Sequence, residues 1–515
     1  MSPAPAGRLH RAVGIETEYG VTSAHVAAGL DGAPLSVEEA VQEVFRDVSS
    51  PPSGTHRFTT SGARLYIDIG MHPEYAGPEC VWVTDAVAQD LAGDAVLASM
   101  TRAANARLES RGVRIHLLKS NTDAWGSTFG CHENYQVTRD APLPLGGMVG
   151  LLAARQILAG TGSLACGRGG QADAGSRTDD GGTGAPDTPD PPLDHPLGPM
   201  LYSARADHIH GAASADPTHE RAFVNTRDEP HADASRLRRL HVTCADTTMA
   251  EPTTGLRAAV TLLLLDALEV GWDFSDLTLA DPLVTLSALG ESPWGDVPAT
   301  TVQGRCLSAV DIQEAFLERL TSYLDDAGVP DFLRGAEHLL ADLAPRVISA
   351  QRHHDDSAID TEIDWAIKRR LMRAQRERHP QLSGQSLETL RSRVDLAYHD
   401  LNAETGLVPR LVAQGAMVNL CDPEEIERAR QTPPATRAAL RGAFVAACLE
   451  AGADFSVSWE SLRLDSPPTA PVDLPDPLET SHEAAESLTQ RVLDLRPEEM
   501  HRIDLVGRGG LGAPG

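Results

Sequence analysis

Lysine is almost missing from this chain of 515 residues: Lys119 and Lys368 are the only two, and arginine carries nearly all the positive charge. Any phosphate or carboxylate site must therefore be built from guanidinium groups. Cationic residues are outnumbered as well, 44 Lys and Arg against 73 Asp and Glu, for a net charge of -29. That balance argues against a nucleic-acid binder, which would present a basic face, and restricts an acidic partner to a local basic patch. Cysteine pairs are also lacking: the seven cysteines are scattered with no CxxC, which excludes a zinc ribbon or disulfide framework and suits a reducing cytoplasm. The first residues lack the apolar core of a signal peptide. The longest apolar run, 258–265, falls well short of the roughly 20 residues that cross a bilayer, so no membrane partner is expected. No GxxxxGK[ST] phosphate loop occurs. What remains, 41% hydrophobic and 23% charged residues, is the composition of a soluble globular protein long enough for more than one domain.

The most informative stretch is 61–79, SGARLYIDIGMHPEYAGPE. Successive strand side chains point to opposite faces, so Leu65, Ile67 and Ile69 form a core face while Arg64, Tyr66 and Asp68 share the other. A short turn then brings His72, Pro73 and Glu74. Residues 13–19, VGIETEY, place Val13, Ile15, Thr17 and Tyr19 on one side and Glu16 with Glu18 on the other. Two like charges at that spacing repel unless solvent or a cation separates them. The residues alone leave a solvated edge strand or a divalent-metal site, since Mg²⁺ prefers carboxylate oxygens, water and phosphates.

Ser36 and Glu39 have capping-box spacing for a helix over 36–48. A helix is predicted over 85–108 with Val87, Leu91, Ala95 and Ala98 as its stripe, and strands over 113–117 and 131–137. On the last of these His132, Asn134 and Gln136 share a face, and His132 gains a metal or substrate role if its strand neighbours the acidic ones. Residues 167–199 are rich in Gly, Pro and Asp and read as a disordered insert. In 223–233, Arg227, Asp228, Glu229 and His231 surround Pro230, and Arg227 is a candidate phosphate ligand. Residues 256–268 read as a buried helix stopped by Gly271. An amphipathic helix over 360–378, opened by a Thr361-x-x-Asp364 cap, carries Lys368, Arg369, Arg370, Arg373, Arg376 and Arg378, a candidate dock for an acidic polypeptide.

The segments GIETEYG, GARLYIDIG with HPEY, GCHENY, NTRDEPHADA with RRLH, DTEIDWAIKR, DLAYHD and PPATRAALRG, in one order from Gly14 to Gly442, resemble the Pup ligase family (proteasome accessory factor A). The resemblance implies an α+β, glutamine synthetase-like fold with a curved antiparallel sheet, flanking helices and a small C-terminal domain, divided here as 1–425, 426–500 and a flexible tail 501–515. It implies ATP and Mg²⁺ as cofactors, Pup, a small acidic disordered modifier, as partner, and lysine-bearing proteins as acceptors. By motif, Glu16, Tyr66 and Glu74 match magnesium ligands, with Glu18 and His132 beside them. Arg64 and Trp459 match ATP contacts and Asp68 matches the catalytic base. Gly77 occupies an ATP-contacting position whose usual threonine hydroxyl is missing, and Thr248 stands where an Asn is expected. The related depupylases carry a long loop where residues 20–62 here are short. Gly77 and Pro78 lean the other way, so a Pup-conjugate hydrolase and a non-catalytic Pup binder stay as alternatives.

Overall fold

The computed structural model describes residues 10–27, 29–30, 32–48, 56–123, 127–141, 143–164, 202–216, 220–290 and 292–495. The insert of 167–199 and the tail of 501–515 lie outside them. Ten strands occupy the first half of the described chain: β1 (Val13–Glu18), β2 (Gly20–His25), β3 (His56–Phe58), β4 (Arg64–Asp68), β5 (His72–Ala76), β6 (Val113–Leu118), β7 (Cys131–Thr138), β8 (Gly211–Ser214), β9 (Ala222–Asn225) and β10 (Leu237–Val242). Eight of them form one sheet in the order β3-β4-β5-β1-β7-β10-β9-β8, while β2 leaves it to pair with β6. The sheet is antiparallel except at one edge, where β8 and β9 run parallel. The expected antiparallel sheet is thus mixed, and the α+β class stands, with fourteen α-helices among the described residues.

β1 lies mid-sheet because its two faces satisfy two environments. Val13 and Ile15 join the main apolar core, and the Glu16 and Glu18 positions line up with β5 and β7 through the pairs Glu18↔Glu74 and Glu16↔His132. β4 and β5 form a hairpin with Tyr66 opposite Glu74 and Asp68 opposite His72. Its turn needs left-handed backbone at Gly70 (φ 87°) and Met71 (φ 64°). The strand therefore ends at Asp68, and Ile69, expected in the core, is 80% exposed at the tip.

The capping box at Ser36 forms as expected, with the Glu39 amide donating to the Ser36 hydroxyl at 3.2 Å. The helix Val83–Leu108 buries Val87, Asp90, Leu97, Thr101 and Ala104, while Leu91, Ala95 and Ala98 are only half-buried. A carboxylate on the buried face, Asp90, sets this departure, because it meets Lys119 from β6's C-terminal end. The helix Glu251–Glu269 is buried almost all round, as its apolar run demands.

The basic segment departs most from expectation. Its helix runs Asp364–Arg378 with Ile363 as N-cap and no side-chain cap. Asp364 instead accepts from the Met249 and Ala250 amides at 2.9 and 3.2 Å, tying down the start of the neighbouring helix. Lys368 and Arg369 are buried, Arg369 stacking over Trp294 at 4.3 Å and Arg373 pairing with Asp356 at 2.7 Å. Carbonyls, carboxylates and aromatic faces from distant segments absorb Lys368 and Arg369, so these two are withdrawn from the expected basic face, whereas Arg378 stays exposed. Near the C-terminus a separate apolar cluster holds Leu440, Phe444, Leu462, Leu464, Leu488 and Val492.

Candidate active site

The polar face of the central strands collects acidic and imidazole groups into two adjoining clusters. Glu18, Asp68 and Glu74 present carboxylate oxygens within 4.8 Å of one another, and Glu16, His132 and His241 do the same with one oxygen and two ring nitrogens. His132 Nδ1 lies 3.2 Å from Glu16 Oε2, and His241 Nε2 lies 4.0 Å from it. Of the acidic strands, the His132 strand pairs with β1 but not with β4 or β5, so the condition placed on His132 holds for one of them.

Electrostatics separate the members. Burial, followed by the charges of Glu16 and Glu18, pushes the Glu74 carboxyl well above the usual carboxylate range. Burial would also raise Glu16, but the His132 hydrogen bond and nearby imidazole and Arg239 charges outweigh it and hold Glu16 low. Burial, then His132, brings His241 down to about 3, so it is a neutral imidazole near neutral pH, the form that ligates metal. The Tyr66 phenol is held protonated by burial and by Glu74 and Glu16, and it hydrogen-bonds Glu74. Arg64 stacks over the Tyr66 ring at 4.3 Å, and its Nε is buried with no hydrogen-bond partner.

The donor set suits a hard divalent cation. Three carboxylates converge there, and the His132 and His241 rings flank them beside Glu16. Beside this face opens a cleft lined among others by Gly14, Glu16, Gly77, His231, Arg239 and Trp459. Gly77 packs its amide on the Ile15 carbonyl at 2.8 Å. Trp459 reaches the cleft from the C-terminal cluster and meets Phe58 edge-on at 5.1 Å between ring centroids. Arg437 and Arg441 clamp Glu79 at 2.7 and 2.5 Å, fixing that cluster against the sheet.

The structure thus brings Glu16, Glu18, Tyr66, Asp68, Glu74 and His132 onto one face and puts Gly77 and Trp459 in the adjoining cleft. Arg227 is about half exposed, pairs with Glu229 at 3.4 Å, and is not among the residues lining the cleft. Thr248 is buried with its hydroxyl 2.6 Å from that of Thr254. His241 and Arg239 were missed as site residues. Their alternation in RRLH was visible, but only the pairing of β10 with β7 brings them to Glu16.

A family model described as Pup-ligase protein matches residues 11–463. A Pup--protein ligase of Acidimicrobium ferrooxidans is 37% identical over 489 residues, covering 93% of this chain and 99% of that protein. One from Jonesia denitrificans is 36% identical over 474 residues, covering 91% and 95%. Among solved structures, the complex between prokaryotic ubiquitin-like protein Pup and its ligase PafA superposes with a TM-score of 0.82 at 29% identity over 98% of both chains. The Pup ligase PafA in complex with ADP gives 0.74 at 30% identity over 90% of this chain and 96% of that one.

Proposed function

This chain belongs to the Pup-ligase family, and from that membership we propose that it joins the C-terminal glutamate side chain of Pup to lysine amines of other proteins at the expense of ATP. The observation that supports the chemistry best is the convergence of Glu18, Asp68 and Glu74 within 4.8 Å beside the cleft that Gly77 and Trp459 line. Bound there, Mg²⁺ would offset the charge that builds up in phosphoryl transfer. Glu16, Glu18, Glu74, His132 and His241 are the residues to hold it, with Tyr66 offering a neutral oxygen. Arg64, whose Nε is buried without a hydrogen-bond partner, would take a phosphate oxygen, and Trp459 would pack on the nucleotide.

The reaction first turns a poor leaving group into a good one. The Pup γ-carboxylate takes the terminal phosphoryl group of ATP, leaving ADP; the lysine nitrogen then forms the C–N bond as phosphate departs with the C–O electron pair. Lysine has an ordinary pKa of about 10.4 and aspartate about 3.9, so Asp68 cannot strip a solvated ammonium ion. Asp68 serves instead by taking the proton as the amine, desolvated at the site, attacks.

We assign 1–425 to the catalytic domain and 426–500 to a small C-terminal domain; the separate apolar cluster from Leu440 onward supports the second unit, while the helix Pro423–Gln431, which spans the boundary, packs Ala429 with Val87 and Ala92. None of the described helices is long and apolar enough to cross a membrane, and the six described cysteines are free thiols, which supports a cytoplasmic setting. To test the function, the protein is mixed with ATP, Mg²⁺, Pup ending in Glu and a lysine-bearing acceptor. Mass spectrometry should show acceptor conjugates and ADP in step. Cleavage of preformed conjugates without ADP would establish the hydrolase instead.

A further inference from the structure

The chemical group that the proposed reaction consumes is the one this chain withholds from its own surface. Two of its 44 cationic side chains are lysine. Lys119 is 1% exposed, with Nζ donating to Asp90 at 2.7 Å and Asp94 at 2.8 Å. Lys368 is 0% exposed, with Nζ donating to the Gly162 carbonyl at 2.5 Å, 2.8 Å from His399 Nε2 and 2.7 Å from Asp395. Both amines are fully engaged by partners from distant parts of the chain.

We infer that the enzyme is closed to its own reaction: neither of its lysine side chains can act as an acceptor, so the ligase does not conjugate Pup to itself. This inference rests on the ligase reading above. Attack on an acyl phosphate requires a neutral amine on a stem long enough to reach the polar face of the sheet. Forming the bond needs the nitrogen lone pair, and the displaced proton must go to a base such as Asp68. Burial alone would push the Lys119 amine down, but the Asp90 and Asp94 carboxylates outweigh it and hold the group protonated. Lifting either lysine out would break a buried ion pair and leave its partners unpaired.

The rest of the surface supports the same reading. Exposed ion pairs of one helical turn, Arg46 with Glu43, Arg334 with Asp331 and Arg430 with Glu427, are of a kind that lysine forms equally well. In each, arginine keeps the positive charge without offering a nucleophile, because a guanidinium does not lose its proton in a protein. For an enzyme that accepts lysines in many surface contexts, its own surface lysines would compete at high effective concentration. Lysine is retained here only where it is structural.

The test uses the full chain with ATP, Mg²⁺, Pup ending in Glu and a lysine-bearing acceptor, followed by peptide mapping of both proteins. The acceptor should gain Pup while Lys119 and Lys368 stay unmodified. The Arg46→Lys/Arg334→Lys variant, altered at side chains 56% and 63% exposed, should gain the mass of a Pup chain at the introduced lysines. Pup on Lys119 or Lys368, or an unmodified variant that still modifies the acceptor, would overturn the inference. An acceptor left unmodified by the wild-type enzyme would instead remove the ligase reading and the inference with it.

Discussion

One strand, β1, carries two buried charge clusters on opposite faces, and they are built on opposite principles. On one face Thr17 donates to Asp90 at 2.8 Å and Tyr19 to Asp94 at 2.7 Å, and Lys119 neutralises both aspartates. On the other face Glu18 meets Asp68 and Glu74 with no lysine or arginine ion pair to any of the three among the described residues. Hydrogen bonds and an ammonium complete the first cluster, which holds the strand in place. The second is left short of positive charge, and that deficit is what a cation and a phosphate can use. Sequence spacing put Thr17 and Tyr19 on one side of residues 13–19 and Glu16 and Glu18 on the other, but only their partners tell structure from chemistry.

The largest effect expected from breaking this contrast is catalytic. Asp68→Asn should lower conjugation by about 10²–10⁴-fold, the range for losing a general base, while leaving ATP binding and thermal stability close to wild type. Single-turnover conjugation read beside calorimetric ATP binding measures both, and near-normal turnover would remove Asp68 from its role. On the opposite face, Lys119→Met should act on stability first. It strands two buried aspartates, which costs about 3–5 kcal/mol when one partner of a buried pair is removed. Denaturant unfolding reports it, and a variant as stable as the wild type would show that the cluster does not hold the strand.

How far each face was legible in the sequence follows from the range of its contacts. The Arg64, Tyr66, Asp68 alternation and the Glu16, Glu18 pair are local, so strand periodicity alone displays them. His132 was readable only as a condition, because its value depends on β7 lying beside β1. His241 and Arg239 were not readable as site residues, since β10 reaches β7 across about a hundred residues of chain, as in the 3.0 Å bond from Arg239 to Asn134. Burial within the helix Asp364–Arg378 was hidden for the same reason: helical spacing gives its faces, but what buries Lys368 and Arg369 comes from Gly162, Pro293 and Trp294. Side-chain cations say nothing of their burial until their acceptors are placed.

The Glu79 clamp extends the comparison to a third carboxylate, compensated like Asp90 but lining the cleft. Burial alone would raise it; Arg441 and Arg437 outweigh that and bring it down to about 2 from an ordinary 4.5. Because its folded pKa lies below the unfolded one, its stabilisation is complete above about pH 4.5 and lost as pH falls toward 2. Glu79→Gln should therefore cost about 3 kcal/mol at neutral pH, at 1.36 kcal/mol per pKa unit, and the gap from wild type should close on acidification. Unfolding curves followed by tryptophan fluorescence between pH 7 and pH 3 check this. A gap of constant size across that range would mean that the arginines do not act through charge.

The smallest effect, and the sharpest discriminator, is a variant that should become more stable. Glu74 sits where burial and the Glu16 and Glu18 charges disfavour its ionised form. In metal-free buffer Glu74→Gln should therefore raise the unfolding free energy by about 1–3 kcal/mol, the scale of relieving one poorly compensated buried group. Added Mg²⁺ should reverse the order, because the wild type gains ligand-linked stability while the variant, lacking a ligand carboxylate, gains less. Lys119→Met offers no such crossover, since no cation replaces an ammonium between two aspartates on a dry face. If Glu74→Gln were destabilising in metal-free buffer, or if Mg²⁺ raised both proteins equally, the carboxylates would be as well compensated as those around Lys119, and the difference between the two faces of β1 would vanish.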